Sequence, residues 1–244
     1  MEIINLSNSE RCRVAEEILA ATEFKNNGIR RIILLPVPSF RDGEHVSGTG
    51  IGIGEACDML TPGDLLVGYG VPRLICDRAS EVGASTLDLL QDGKFIFKNN
   101  ELTAHATLGY ILSALGADVS DLKIGIIGYG SLGTALTRLL LFLGAELTVF
   151  SGSEEKRISL LSAGVSALDY GELVNVECDV LINTAPACYL DDKMPRSPLL
   201  LDLASGNHYA DYGATSLPSL PEKRYPMSAG KAYAKAVIDY YNLH

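Results

Sequence analysis

The sequence predicts an α/β protein with two lobes, in which the C-terminal lobe is a doubly wound parallel sheet and the N-terminal α/β lobe is smaller. The first observation is an apolar run, Ile124–Ile127, that leads through a glycine-rich turn into an amphipathic helical pattern. The second is the start of the chain, where strand-like segments at Glu2–Asn5 and Arg31–Leu35 flank a helical repeat. Buried strands that alternate with helices are typical of parallel sheets.

The N-terminal lobe shows further elements in chain order. Ser7–Glu10 fits a capping box that opens the first helix, and Pro36–Ala56 is rich in proline and glycine, which predicts a loop at the carboxyl end of a strand. Beyond it we predict strands at Leu65–Gly68 and Phe95–Phe97 and a connecting helix at Asn99–Leu115.

The glycine turn reads GYGSLG and lies between a predicted strand and a predicted helix. In this context Gly128 permits the tight turn, Gly130 lets a pyrophosphate approach the backbone, and Gly133 allows the helix to pack on the strand. The helix N-terminus adds free N–H groups and partial positive charge. The motif therefore predicts a Rossmann-type dinucleotide site that comprises Gly128, Tyr129, Gly130, Ser131, Leu132 and Gly133.

The next strand, Glu146–Phe150, ends at Ser151, Gly152 and Ser153, without the carboxylate that binds the ribose 2′-OH of NAD. These residues, with Lys156 and Arg157 on the following turn, favour the 2′-phosphate of NADP, whereas the neighbouring Glu154 and Glu155 favour NAD, which stays possible. Later strands are predicted at Asp179–Asn183 and Leu199–Leu203. The residues that follow them are expected near the nicotinamide: Thr184, Ala185, Pro186, Ala204 and Ser205.

These elements divide the chain into three parts. Residues 1–118 form the N-terminal α/β lobe on the substrate side, and residues 119–225 form the NAD(P)-binding Rossmann domain. Residues 226–244 form a final helix, whose narrow stripe of alanine and tyrosine predicts close packing across the lobe junction.

Composition excludes several classes of protein. The chain of 244 residues carries a formal net charge of −10, which argues against a nucleic-acid or acidic-membrane partner. We expect neither a signal peptide nor a membrane span. Five dispersed cysteines, without CxxC spacing or histidine partners, favour reduced thiols in the cytoplasm and predict no metal site.

Several segments carry a resemblance to a known family. LINTAP at 181–186, LLLDLAS at 199–205 and YPMSAGKAYA at 225–234 resemble the family of the dipicolinate synthase A subunit. LPVPSFRDGE at 35–44 and ELTAHATLGYIL at 101–112 look like its proline-led loop and interdomain helix, although the N-terminal lobe looks short. The broader layout is similar to D-2-hydroxyacid dehydrogenases.

The resemblance implies an NAD(P)-dependent oxidoreductase step in making dipicolinate, the spore-core calcium chelator, and hence a link to sporulation. It implies a small carboxylated substrate, and a partner that is the second subunit of the synthase. We also expect a homo-oligomer. The chain departs from the family at Gly206 and Gly152, where the family carries arginine, and Met227 stands where hydroxyacid dehydrogenases carry the acid/base histidine. A dinucleotide-binding subunit or sensor without catalysis is therefore the alternative.

Hydride transfer to a carbonyl or imine needs a proton donor near the accepting atom. The candidates are His208, first because strand-end loops face ligands, and then His105 and His45. Arg41 and Arg224 are the candidate anchors for substrate carboxylates, since the arginine fork matches them. We expect substrate to bind between the loop at 36–54 and the turns at 183–186 and 204–208.

Overall fold

The computed structural model describes residues 1–25, 28–189, 199–204, 206 and 208–243. The first part of the chain forms the following elements: β1 Glu2–Asn5, α1 Glu10–Ala20, β2 Arg31–Leu34, α2 Ile53–Asp58, β3 Asp64–Gly68, α3 Arg73–Val82, β4 Ser85–Asp88 and α4 Gly93–Leu115. The remainder forms β5 Lys123–Ile127, α5 Ser131–Phe142, β6 Glu146–Phe150, α6 Glu154–Ser162, β7 Ser166–Leu168, β8 Val180–Asn183, β9 Leu199–Asp202, β10 Thr215–Ser216, α7 Leu220–Arg224 and α8 Pro226–Leu243.

The chain folds as two compact units. The first unit comprises Met1–Asn99 with Pro221–His244, and the second comprises Asn100–Leu220. The unit boundary therefore falls inside α4, whereas the sequence placed it at residue 118, where this helix has already ended. The final segment belongs to the first unit together with the N-terminal strands.

In the described part of the first unit, one parallel sheet has the strand order β1-β2-β3-β4. Its central strands are apolar on both sides, with Ile32 and Leu34 on one face and Ile33 and Leu66 on the other. The first face is covered by α1 and α8, and the second by α2 and α3. This two-sided burial explains why RIILL reads as one continuous apolar run.

Helix α8 packs closely on α1 because of a glycine. A Cβ added at Gly230 would lie 2.5 Å from the Cβ of Val14 and 2.9 Å from the carbonyl oxygen of Arg11. Nearby, the buried hydroxyl of Tyr233 lies 2.9 Å from the carbonyl oxygen of Leu35 and 3.0 Å from that of Val67. The segment YPMSAGKAYA thus has a structural role, which is to seat α8 on the sheet of the first unit.

The second unit contains a parallel sheet in the order β10-β9-β8-β5-β6-β7 among its described strands. This order reverses direction at β5, from which β6 and β7 extend to one side and β8, β9 and β10 to the other. It is the doubly wound arrangement whose ligands bind at the carboxyl end of the central strands. The predicted α/β class, with a parallel sheet in each lobe, is confirmed.

The predicted strand at Phe95–Phe97 is wrong, because these residues lie in the first turns of α4. The carboxylate of Asp92 accepts the backbone N–H groups of Lys94 and Phe95 at 2.9 and 3.1 Å, which starts a helix there. Burial of the Phe95 ring in the core of the first unit then outweighs the strand propensity of FIF.

Among the described residues, no helix combines the length and apolar character needed to cross a bilayer.

Candidate functional site

The three glycines of the turn after β5 have three different environments. Gly128 has a φ of +95°, and a Cβ there would lie 2.8 Å from the hydroxyl oxygen of Thr184. A Cβ at Gly133 would lie 2.2 Å from the carbonyl oxygen of Gly128, so this residue must be glycine for α5 to pack on the turn. A Cβ at Gly130 would meet nothing within 4 Å. Open space therefore faces Gly130, at the N-terminus of α5.

Thr184 joins this turn to the end of β8. Its hydroxyl donates to the carbonyl oxygen of Ile127 at 2.9 Å and lies 3.2 Å from that of Gly128. The two neighbouring strand ends are thereby fixed at one edge of the sheet. The predicted cofactor residues after β5 and after β8 consequently lie side by side.

A cavity of about 340 Å³ lies at this edge. It is lined by Gly128, Tyr129, Gly130, Ser151, Gly152, Ser153, Lys156, Tyr170, Thr184, Ala185, Pro186 and Tyr189. Ten of these twelve residues were predicted from the sequence to bind the cofactor. Ser131, Leu132 and Gly133 form the first turn of α5, Ala204 follows β9, and Ser205 lies outside the described residues.

Two tyrosines of this cavity were not predicted. The rings of Tyr170 and Tyr189 stack at a centroid distance of 3.8 Å with an interplanar angle of 15°. A Cβ at Gly152 would lie 3.1 Å from the ring of Tyr170, so the missing side chain at Gly152 leaves room for this ring beside the tip of β6. Tyr170 begins a short 3-10 helix and Tyr189 lies in an irregular segment, so spacing gives no signal of their function.

The cations near the tip of β6 have different partners. The guanidinium of Arg157 donates to the carbonyl oxygen of Ser151 at 2.6 Å and to the carboxylate of Asp169 at 2.8 Å. It is therefore held by the protein and helps to shape the tip. The ammonium of Lys156 donates to the carbonyl oxygen of Tyr129 at 3.0 Å, which places its positive charge directly beside the glycine turn.

A buried polar network supports the ends of β8 and β9. The side-chain amide of Asn183 donates to the carboxylate of Asp202 at 2.8 Å, and the same carboxylate accepts the backbone N–H of Ala204 at 3.1 Å. Asn183 and Asp202 are both almost inaccessible to solvent. Burial raises the pKa of the nearby Tyr209 to about 12, so its hydroxyl keeps its proton at neutral pH. The network fixes the backbone beside the predicted nicotinamide position.

The candidate proton donors are distributed over both units. His208 belongs to the second unit and is half-buried, and its Nε2 would lie 2.7 Å from a Cβ at Gly206. His105 is exposed on α4 in the second unit, and His45 is exposed in the first. His45 pairs with Asp42 at 3.1 Å. The backbone N–H groups of His45 and Glu44 lower the pKa of Asp42 to about 2.

The two predicted substrate arginines are exposed in the first unit. Arg41 lies in the loop after β2, where its backbone N–H donates to the hydroxyl of Ser47 at 2.9 Å, and Arg224 is the last residue of α7. Met227 is also exposed, near the start of α8. Among the described residues, no group of three or more histidine, cysteine, aspartate or glutamate side chains is placed to hold a metal ion.

Comparison with known proteins places these features in context. Residues 123–197 match a family model described as "NADP oxidoreductase coenzyme F420-dependent". This segment contains the glycine turn, the tip of β6 and the end of β8. No curated protein matches the sequence.

Solved structures resemble almost the whole chain. The A subunit of dipicolinate synthase from Bacillus halodurans has a TM-score of 0.75 at 17% identity, covering 98% of this chain and 97% of that one. The A chain of dipicolinate synthase from Bacillus subtilis has a TM-score of 0.77 at 18% identity, covering 100% and 97%. An L-alanine dehydrogenase has a TM-score of 0.56 at 16% identity, covering 98% and 88%.

The predicted resemblance to the dipicolinate synthase A subunit is thus confirmed as a likeness of fold. Together with the family match over residues 123–197, it supports an NAD(P)-binding, oxidoreductase-like protein with a nicotinamide dinucleotide as its cofactor.

Proposed function

We propose that this protein is an NADP(H)-dependent oxidoreductase that acts on a small cyclic or oxo carboxylic acid, the class of compound named in dipicolinate synthase. The observation that carries the proposal is the open space at Gly130 between two crowded glycines. A Cβ at Gly128 or Gly133 would meet protein atoms, whereas a Cβ at Gly130 would extend into the cavity. This is the position at which a pyrophosphate approaches the backbone in dinucleotide folds.

The residues fit the proposed cofactor at several points. The N–H groups at the start of α5 would hold the pyrophosphate, with the positive end of the helix dipole behind them. Ser151, Ser153 and Lys156 would receive the 2′-phosphate, because they offer hydroxyls and one ammonium without a carboxylate at the tip of β6. The stacked rings of Tyr170 and Tyr189 would contact the adenine. When bound, the nicotinamide supplies or accepts a hydride.

The substrate side is proposed from residue chemistry. His208 would hold or release the proton at the accepting atom, with His45 and His105 as the other candidates, and Arg41 and Arg224 would bind substrate carboxylates. Asn183 and Asp202 would act as positioning residues that keep the turn at Ala204 in place. The expected partners, a second copy of the chain and a second synthase subunit, belong to the same proposal, and so does a cytoplasmic location.

A second function is favoured by two specific residues. Met227 cannot transfer a proton, and Gly206 provides no guanidinium at the place where the resembled family carries arginine. A dinucleotide-binding subunit or sensor that acts through a partner would keep the glycine turn without needing either group.

Titration of the purified protein with NADPH and NADH tests the shared part of both functions. We expect NADPH to bind more tightly, and equal, negligible binding of both would refute the two functions together. A cofactor-oxidation screen with dihydrodipicolinate-type and 2-oxo acids, with and without lysate of the source cells, then separates them. In an active enzyme, His208→Gln should lower kcat and leave the Kd of NADPH unchanged; turnover equal to the parent would exclude His208.

A further inference from the structure

A buried, incompletely paired arginine lies at the carboxyl edge of the sheet in the first unit. Arg11 is in the first turn of α1 and is 2% exposed. Its Nη2 donates to the side-chain oxygen of Asn99 at 3.1 Å. Its Nε and Nη1 are buried and have no hydrogen-bond partner among the residues that the structure describes. A buried guanidinium in this state is costly, since desolvation of a charge must be offset by an anion or by hydrogen bonds.

The carboxylate with the largest electrostatic effect on Arg11 is that of Glu222, in the short helix α7. Its Oε2 is also buried without a hydrogen-bond partner in the described part of the chain. The two charges act on each other: burial lowers the pKa of Arg11 and the charge of Glu222 raises it, while burial raises the pKa of Glu222 and the charge of Arg11 lowers it. The pair thus leaves hydrogen-bonding capacity unused on both sides.

Other polar groups surround this pair. The side chain of Ser9, the N-cap of α1, interacts with the carboxyl of Glu222, and the charge of Arg41 acts on the same carboxyl. Tyr69, directly after β3, interacts electrostatically with Arg11. All three lie in segments that follow strands of the sheet, on the side where parallel sheets bind ligands. We call Ser9, Arg11, Arg41, Tyr69, Asn99 and Glu222 the Arg11 cluster.

We propose, on the basis of the proposed function, that the Arg11 cluster is the subsite for a carboxylate of the small organic acid, with Arg11 as its anchor and Glu222 as the group that the ligand displaces. Nε and Nη1 point to opposite sides of the guanidinium, so a carboxylate would accept from one of them and from the second N–H of Nη2, as in the side-on and end-on ion pairs of arginine. The N-terminus of α1 adds a favourable partial charge at the same place. Arg41, a candidate from the sequence, then acts on the same ligand from the loop after β2.

The chemistry of the cluster favours a carboxylate over a phosphate. A phosphate monoester carries a charge of about −1.5 to −2 at neutral pH, whereas a carboxylate carries one charge. Arg11 faces the single charge of Glu222, so a group that takes the place of Glu222 matches it with one charge, which each carboxylate of a dicarboxylic acid supplies and a phosphate exceeds. The Arg11 guanidinium also lies 6.0 Å from the centroid of the Phe95 ring, so an aromatic side chain contributes to its burial.

Calorimetric titration with pyridine-2,6-dicarboxylate at pH 8 tests the proposal, and uncharged pyridine-2,6-dimethanol serves as the ligand control. We expect the parent protein to bind the dicarboxylate and not the diol. Arg11→Met should raise the Kd by about tenfold or more, since a charge-assisted pair is lost. Arg13→Met is the matched control on the same helix, because Arg13 is exposed and pairs with Glu10 and Glu17; its Kd should equal that of the parent.

Glu222→Gln decides the question even if Arg11→Met does not fold. If Glu222 is displaced by the ligand, removal of its charge should tighten dicarboxylate binding by about threefold or more. If the pair only stabilises the fold, Glu222→Gln should lower the Tm and leave dicarboxylate binding as weak as before, which would overturn the proposal. Absence of binding by the parent, or an unchanged Kd in Arg11→Met, would overturn it as well.

NADPH binding is measured on the same samples to separate this proposal from the proposed function. The glycine turn lies in the second unit, so NADPH binding should be unchanged in all three variants. Retained NADPH binding without dicarboxylate binding would refute the Arg11 cluster alone, whereas loss of NADPH binding by the parent would refute the proposed function.

Discussion

Substitution of Gly130 by alanine should weaken dinucleotide binding while leaving the fold intact. Gly130 has φ −86° and ψ −164°, which alanine adopts without strain, and its Cβ would meet no protein atom within 4 Å. The added methyl group would instead occupy the space proposed for the pyrophosphate. Loss of one hydrogen bond to a charged group costs about 1.5–3 kcal/mol. We therefore expect the Kd of NADPH to rise by about 10- to 150-fold.

The assay is a fluorescence titration with NADPH, combined with thermal unfolding of the same samples. Gly109→Ala is the matched control: Gly109 is an exposed glycine on α4 whose added Cβ also meets nothing within 4 Å. It should raise stability by about 0.5–1 kcal/mol and leave the Kd unchanged. Gly133→Ala should behave in the opposite way and lower the Tm, because its Cβ would lie 2.2 Å from a backbone oxygen. A Kd for Gly130→Ala within about twofold of the parent would refute the reasoning.

Three further predictions concern the cofactor preference and the stability of the first unit. Lys156→Gln should weaken NADPH binding by about tenfold and NADH binding much less, because the ammonium beside Tyr129 is the cation proposed for the 2′-phosphate. Paired titrations with the two cofactors measure this difference. An equal loss for both cofactors would assign Lys156 to the pyrophosphate. Asp64→Asn should cost about 2 kcal/mol in chemical denaturation, because Arg31 donates to Asp64 at 2.5 and 2.8 Å. Burial raises the pKa of Asp64, but the bonds from Arg31 and Thr61 outweigh it and the pKa is lowered. The stabilisation by ionised Asp64 is therefore present above pH ~4 and is lost as the pH falls through the lowered pKa of Asp64 in the folded protein. Below pH ~4 the variant should consequently lose less stability than the parent does. Gly230→Ala should lower stability by about 1–3 kcal/mol by forcing α8 away from Val14, and an unchanged Tm would contradict that close contact.

The sequence predicted the second unit more fully than the first. The strand before Gly128 and the strands ending at Asn183 and Asp202 are short apolar runs that are buried on both faces, so burial and local pattern agree. In the first unit β4 is short and partly exposed, and α3 has only Ile75 and Ala79 buried, so neither element has a strong pattern. The strand predicted at Phe95–Phe97 was wrong because a cap at Asp92 and core burial outweighed local propensity.

The cofactor cavity could be predicted from the sequence, whereas the Arg11 cluster could not. The glycine turn is readable because its function depends on backbone geometry, which requires glycine at fixed spacing. The cluster is formed by residues far apart in the chain, with Arg11 in an N-terminal helix and Glu222 in a short helix near the end. An arginine in the first turn of a helix normally indicates a solvated side chain. Arg11 is buried beside Asn99 and the Phe95 ring of α4, which are far away in the chain, so the tertiary structure was needed to identify the cluster.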